Sequence, residues 1–447
     1  MAELIISVSG LRGIVGETLT PEVAIRYVTA FSAGTPGGPF VVTRDGRATG
    51  NMVSEAVMAG LHAVGRNTID GGIAATPTTG VLVRRARAAG GIQISASHNP
   101  PQYNGLKLFS AEGRVIPAEP GRAVLARYQN GEADWVTYER LGENLPVEDP
   151  HADHLQAVLA TVDAEAIRAR RFKVLLCSNH GAGSLLGERL LKALGCKVTV
   201  IGGKPDGQFE YTPEPTAENL VSVLPKVRQL GVDVGFCQDP DADRLALIDA
   251  DGRYVGEEYT LAICANHVLA SRKGPVVANC ATSRMTEDIA KKYGVPYHRA
   301  AVGEANVVDC MLANRAVFGG EGNGGPIDPN VGLVRDSFVG MAQVLAAMAS
   351  RQVALAQLAD ELPRYEIVKT KINLSSDKVS PAVEALTRRF PNAQADRMDG
   401  LRLDWPDRWL LVRPSNTEPI VRAIAEAPDL VSAETLCRQA AEVLATV

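Results

Sequence analysis

The 447-residue sequence contains no Cys-x-x-Cys pair, and its seven cysteines (Cys177, Cys196, Cys237, Cys264, Cys280, Cys310 and Cys437) are scattered and odd in number. That spacing argues against both a zinc site and a disulfide framework, so buried free thiols in a reducing compartment are expected. No apolar run approaches the length of a membrane span. The opening Met-Ala-Glu-Leu-Ile-Ile-Ser lacks the basic start and apolar stretch of a secretory signal. A cytoplasmic protein with no membrane partner is therefore expected. A positive charge balance is also lacking. The formal net charge of −5 speaks against a broad nucleic-acid-binding face, while leaving room for a small basic pocket that takes one or two phosphates. No lysine-bearing phosphate loop of the NTPase kind occurs. What remains, 46% hydrophobic and 22% charged residues, is the composition of an ordinary globular chain. Its length suits about three domains, or four small ones.

One pattern recurs along the chain. A short β-rich run breaks into a loop of small residues before a helix-like stretch at 39–47 (PFVVTRDGR), 172–183 (FKVLLCSNHGAG) and 274–284 (GPVVANCATSR). Each is followed by an amphipathic segment that ends at a glycine, at Gly65, Gly195 and Gly294, as helices tend to do. Each unit later reaches another strand and a loop of unusual composition: SASHNP at 95–100, DPDADR at 239–244 and GEGNGG at 320–325. Strands alternating with helices at this spacing predict α/β layers with largely parallel sheets, and in such sheets ligands bind beyond the carboxyl ends of the strands. From about Tyr365 the texture changes to helix-like stretches mixed with strands, which predicts a smaller α+β unit. The expected fold class is thus three related α/β domains, 1–150, 151–255 and 256–366, and a C-terminal α+β domain, 367–447. The charged, proline-containing stretch 139–150 is the best linker candidate.

Four loops carry chemistry. In DPDADR, Asp239, Asp241 and Asp243 stand at i, i+2 and i+4 after a strand-like run. Carboxylates crowded in a turn repel one another, so a bound cation accounts for them economically, and oxygen-only ligands favour magnesium over zinc. A calcium loop fails because its sixth and twelfth positions hold Arg244 and Ala250. A solvated acidic turn is the alternative. SASHNP follows an apolar strand and stops at Pro100-Pro101, so it can expose Ser97; a purely structural loop is the alternative. GEGNGG matches a dinucleotide fingerprint in form, but Pro326-Ile-Asp-Pro follows where a helix is needed. A turn presenting Glu321 and Asn323 to sugar hydroxyls suits it better, with a plain glycine turn as the alternative. RPSNTEP, 413–419, offers the planar fork of Arg413 with Ser415, Asn416 and Thr417 as phosphate donors, or else forms a polar hairpin.

In this order, SASHNP, D-x-D-x-D-R, GEGNG and RPSNTEP resemble the four signature loops of the α-D-phosphohexomutase superfamily. The resemblance extends to SGLRG at 9–13, YNGLK at 103–107 and the Pro-Asp-Gly…Pro-Glu-Pro…Glu-Asn-Leu stretch at 205–220. It implies four domains around a central cleft and an enzyme that interconverts hexose 6- and 1-phosphates through a phosphoserine and a bisphosphorylated sugar. Carried over residue by residue, the phosphoserine falls on Ser97 with His98 beside it. Mg²⁺ falls to Asp239, Asp241, Asp243 and the Ser97 phosphate. Arg12, Lys107 and Arg244 surround the reacting oxygens, with Arg12 and Lys107 placed for proton transfer. Glu321 and Asn323 hold the sugar, and Arg413, Ser415, Asn416 and Thr417 grip the phosphate that is not transferred. A sugar 1,6-bisphosphate is implied as activator. Two positions depart from the pattern: many relatives carry Ser at the place of Asn323 and His at the place of Gly325. The loop form also resembles a branch acting on glucosamine phosphate, with glucose and mannose phosphates as alternatives. A phosphosugar-binding protein without turnover, or a metal-dependent phosphatase, would use much of the same apparatus. Oligomeric state is not legible in one sequence.

Overall fold

The structure is a computed structural model that describes residues 4–7, 9–131, 133–375, 378–414 and 420–446. Three sheets share one plan. In the first, the strands Phe40–Arg44, Thr68–Ile73 and Gly90–Ile94 run parallel, and Tyr103–Ser110 turns back antiparallel along Gly90–Ile94. In the second, Lys173–Cys177, Lys197–Ile201 and Val234–Gln238 are parallel and Leu245–Asp249 turns back. In the third, Val276–Asn279, Tyr297–Ala300 and Phe318–Glu321 are parallel and Gly325–Ile327 turns back. The repeat read from the sequence is therefore one of strand order as well as of pattern. SASHNP, DPDADR and GEGNGG each join the third parallel strand to its antiparallel return, at the carboxyl end of the sheet.

The first sheet is widened by Ile5–Ser7 and Gly10–Ile14 on one edge and by the two-residue strand Asn144–Leu145 on the other. The stretch 139–150, the linker candidate, donates that last edge strand to the first unit. Gly10–Ile14 pairs with Tyr103–Ser110 so that Gly10 faces Lys107 and Arg12 faces Gly105. That register brings Arg12 and Lys107 to neighbouring places. The fourth sheet is antiparallel throughout, in the order Glu366–Asn373, Ile420–Ala427, Trp409–Pro414, Leu401–Asp404, Gln394–Asp396, and is covered by the helices Val379–Arg389 and Leu430–Ala445.

The second and third units are welded together. Helix Ser337–Arg351 is buried along every face from Ser337 to Ala349. It packs against helix Glu257–Ser271 and Ala164–Arg170 in one core that includes Phe236, Leu261, Phe318 and Phe338. A helix apolar on all sides is stable only inside a core. Its cap is Asp336, which accepts from the amides of Phe338 and Val339 and from His154 Nε2 at 2.7 Å. His154 in turn bonds Thr78 of the first unit through Nδ1 at 2.9 Å. The cysteines are all free thiols, as expected. Among the described residues no helix is long and apolar enough to cross a membrane.

Candidate active site

Ser97 lies in the loop after Gly90–Ile94, buried, with φ at +49°. A non-glycine residue in the left-handed region carries strain that its surroundings must hold. They do so through Arg47, which is buried and donates from Nη1 to the carbonyls of Pro100 (2.7 Å) and Tyr103 (2.9 Å) and from Nη2 to those of Ser97 (2.7 Å) and Asn99 (2.6 Å). Asp45 accepts from Arg47 Nε at 3.1 Å and from Ser95 Oγ at 2.7 Å, and Ser95 Oγ accepts from the Ser97 amide at 2.9 Å. The backbone around Ser97 is thus clamped at four carbonyls and one amide, with the Ser97 hydroxyl turned towards the second unit.

That hydroxyl donates to Asp239 Oδ2 at 3.0 Å. Asp239, Asp241 and Asp243 are fully buried, and one ligand oxygen from each falls within 4.8 Å of the others. The turn is tight enough to put Ala242 at φ +55°. The first unit also reaches into this loop from a second side. Thr76 Oγ1 donates to Asp241 Oδ2 at 2.6 Å, and Lys107 Nζ lies 3.0 Å from Oδ2 of both Asp241 and Asp243. Arg335 Nη2 also holds Asp243 Oδ2, at 2.6 Å. These cations take one oxygen of each carboxylate; Oδ1 of Asp241 and Oδ1 of Asp243 are buried with no hydrogen-bond partner. Buried oxygens left unsatisfied are costly, and a shell of carboxylates with a hydroxyl suits a hard divalent ion. The residues present fit a metal site.

The electrostatics agree. Burial and the neighbouring Asp241 and Asp243 carboxylates push Asp239 well above the usual carboxylate range, so the cluster resists ionising fully without added positive charge. Burial would lift Asp241 too, but Lys107 and the hydrogen bonds from Asp239 and Thr76 bring it below its ordinary value. Lys107, which burial alone would lower, is raised by Asp241, Asp243 and Glu304 and is held as an ammonium. Burial, with Arg244 and Arg12 nearby, depresses His98 to about 4, so its imidazole is neutral at pH 7. Its Nδ1 is 3.5 Å from Ser97 Oγ, a long contact. Arg244 donates its amide to Asp239 Oδ1 at 3.1 Å and its Nη1 to Glu214 at 3.0 Å, Glu214 coming from the Pro-Glu-Pro stretch. Arg12 is in the same field, raised by Asp241 and Asp243 but lowered most by burial. A cavity of about 240 Å³ lined by Ser9, Arg12, Ser95 and Lys107 adjoins the cluster.

The sugar-loop candidates meet this cluster directly. Leu245, just after Arg244, donates its amide to the carbonyl of Gly324 at 2.9 Å. Glu321 ends its strand with Oε1 accepting from Asn279 Nδ2 (2.6 Å) and the Gly303 amide (3.0 Å), and with Oε2 on Arg335 Nη1 (2.5 Å). Asn323 Oδ1 is buried without a partner. Arg413 stands apart from the aspartates, paired with Asp399 at 3.0 Å, which also accepts from the Val302 amide of the third unit. Ser415, Asn416 and Thr417 lie outside the described residues.

The structure therefore brings together Ser97, His98, Arg12, Lys107, Arg244 and the three aspartates, joins Glu321 to them through Arg335, and holds the loop of Asn323 beside them by the Leu245–Gly324 bond. Reading the sequence missed Arg47, Thr76, Glu214, Glu304 and Arg335. Arg47 was visible only as the end of a repeat unit, and Glu214 as part of a matched stretch. The other three carry no local signal.

Family models describe the whole arrangement. Phosphoglucomutase/phosphomannomutase α/β/α domain I matches residues 4–134, domain II 149–252, domain III 257–365 and the C-terminal domain 377–443. A relative named phosphoglucomutase/phosphomannomutase, from Thermococcus kodakarensis, is 38% identical over 94% of this chain and 93% of its own. One from the same organism named "Probable phosphoglucosamine mutase" is 34% identical over 97% and 96%. The crystal structure of a phosphoglucomutase/phosphomannomutase family protein from Burkholderia thailandensis superposes with a TM-score of 0.86 at 25% identity, covering 98% of each chain.

Proposed function

The chain belongs to the phosphoglucomutase/phosphomannomutase family, and from that premise we propose that it interconverts hexose 6-phosphates and hexose 1-phosphates by carrying the phosphoryl group on Ser97. The observation that supports this most strongly is the meeting of the Ser97 hydroxyl, at 3.0 Å, with a buried aspartate cluster in which two oxygens have no hydrogen-bond partner. Phosphoryl transfer asks for in-line placement and charge neutralisation more than for covalent help. A clamped serine loop facing fixed cations supplies both.

Phosphorylated Ser97 passes its phosphoryl group to the free hydroxyl of a sugar monophosphate, which loses its proton as the new O–P bond forms and the serine O–P bond breaks. The sugar 1,6-bisphosphate turns over in the cleft and returns its other phosphoryl group to Ser97. Arg12, Lys107 and Arg244 hold the transferring group from the sides that the aspartates leave open. The proton lost by the sugar hydroxyl is matched by one delivered to the leaving oxygen, Ser97 Oγ, with Arg12 and Lys107 placed beside the reacting oxygens for these transfers. Mg²⁺, held by Asp239, Asp241, Asp243 and a phosphate oxygen on Ser97, would offset charge on the group in flight. Glu321 and Asn323 hold sugar hydroxyls, and Arg413 with Ser415, Asn416 and Thr417 takes the stationary phosphate. A sugar 1,6-bisphosphate, as activator, restores the serine phosphate when the intermediate escapes.

Glucosamine 6-phosphate is the first candidate substrate on the form of the GEGNGG loop, followed by glucose and mannose phosphates. A coupled assay with glucosamine, glucose, mannose and N-acetylglucosamine phosphates, run with the matching bisphosphate, decides both points. Ser97→Ala is expected to reduce every interconversion to background. Substantial turnover by that variant, or phosphate release faster than isomerisation in the wild type, would defeat the proposal.

A further inference from the structure

One strong cation in this site has no part in the scheme above. Arg335 lies between the third sheet's return strand and helix Ser337–Arg351, with Nη2 at 2.6 Å from Asp243 Oδ2 and Nη1 at 2.5 Å from Glu321 Oε2. Its amide donates to Glu304 Oε1 at 2.7 Å, and its Nε, buried and without a hydrogen bond, stands 3.9 Å from Glu304 Oε2. A single guanidinium therefore joins the aspartate loop of the second unit to the sugar loop of the third.

The room for it comes from Gly325. A Cβ placed there would lie 2.8 Å from Arg335 Cγ and 2.9 Å from its Cβ, and closer still to Cδ. Those are stem atoms, so no swing of the side-chain tip relieves the clash. The backbone of Gly325 is not in the left-handed region, so the requirement for glycine here is one of space. The space over the Gly325 Cα is taken up by the arm of an arginine that stands just before the cap of the following helix.

We propose that Arg335, in the space left by Gly325, is a positioning residue that fixes the metal carboxylate Asp243 and the sugar carboxylate Glu321 at a set separation. The meaning of the two carboxylates rests on the mutase reading; the bridge itself does not. The planar fork of arginine serves two carboxylates at once, where a lysine would offer one point charge. By occupying Asp243 Oδ2 it leaves Oδ1 for an ion, and with Asn279 and the Gly303 amide on Glu321 Oε1 its hold on Oε2 fixes that carboxylate at both oxygens. As a cation beside the aspartates it also weakens their hold on a divalent ion.

The test uses the full-length protein and four variants: Arg335→Gln, Arg335→Lys, Gly325→Ala and the Gly325→Ala/Arg335→Gln double. Calorimetric titration of metal-stripped protein with Mn²⁺ alone is expected to show binding about fivefold tighter in Arg335→Gln and unchanged in Arg335→Lys, which keeps the charge. Hexose 6-phosphate binding and KM are expected to weaken about tenfold in both, with kcat lowered. Gly325→Ala, which alters no polar group, should show the same kinetic loss by displacing the arginine arm, and the double variant should be no worse than Arg335→Gln alone. Tighter metal with weaker sugar is a pairing that general loosening of the fold does not produce. The proposal is overturned if Arg335→Gln leaves both affinities unchanged or weakens both in step with a lower Tm. It is equally overturned if Gly325→Ala behaves as wild type or if the two losses multiply. Failure of the mutase reading would show separately, as wild-type protein that interconverts nothing while the two titrations still report on the bridge.

Discussion

Glu258 stands in the first turn of helix Glu257–Ser271, where its carboxylate accepts from the Ser283 amide at 2.9 Å and walls a cavity of about 190 Å³ together with Gly322 and Lys369. Burial pushes its pKa up to about 8, against the opposing pull of Lys369 and the Ser283 amide. An acid raised in the folded state keeps a proton that the unfolded chain has already lost, so its contribution to stability falls as pH rises from about 4.5 to 8. Glu258→Gln preserves the acceptor and removes the titration. Its advantage in urea denaturation should be near zero at pH 5 and grow to on the order of 3 kcal/mol at pH 8. Equal stability of the two proteins at both pH values would show that this carboxyl is not desolvated. Single residues divide sharply in how legible they are. The three aspartates announce themselves, because like charges at alternate positions need something to hold them. Thr76, Glu304 and Arg335 do not, since ordinary residue types acquire their roles only from loops of other units that the chain order keeps far away.

The serine loop shows the same division one level up. That SASHNP breaks a strand and exposes a hydroxyl was visible in the apolar run before it and the paired prolines after it. That Arg47, from the loop after an earlier strand, holds three of its carbonyls and that of Tyr103 was not, because backbone carbonyls leave no trace in a sequence. Removing this arginine takes a donor from each of those carbonyls and leaves Asp45 without its counter-ion. Arg47→Met is expected to cost about 3–5 kcal/mol in urea denaturation, as breaking a buried charge pair does. It should also slow turnover in the fraction that remains folded, since Ser97 would lose the frame that keeps it at φ +49°. Wild-type kcat in that fraction would count against the clamp. The edge strand Asn144–Leu145 is the opposite case: two residues are too few for a periodicity, so a stretch that reads as linker joins a sheet by pairing with Thr68 and Ile69.

Across the molecule, the order of units was legible because each repeats a strand–loop–helix pattern and ends in a loop of unusual chemistry. The sharing of a core was not, because the apolar residues of helix Ser337–Arg351 say that it is buried without saying between which layers. The second and third units should therefore unfold as one, while the last unit has its own core around Leu386, Leu403, Leu410 and Leu436. Two of the three tryptophans, Trp405 and Trp409, lie in that last unit and the third, Trp135, is exposed, so fluorescence reports mainly on it. In urea the fluorescence midpoint is expected below the far-ultraviolet circular dichroism midpoint. Coincident curves would mean that contacts such as Trp409 on Cys280 and Arg299 on Asp404 fuse all the units into one cooperative block.

The proposed function turns on Ser97 as the place where the phosphoryl group rests between its two transfers. The most direct measurement is to incubate the protein and Mg²⁺ with a hexose 1,6-bisphosphate labelled in both phosphates, and to map the label by peptide mass spectrometry. The expected result is one labelled site, Ser97, whose label is chased into the sugar pool by unlabelled hexose 6-phosphate and is absent from Ser97→Ala. Interconversion that proceeds with no label on Ser97, or with label on another residue, would contradict the account.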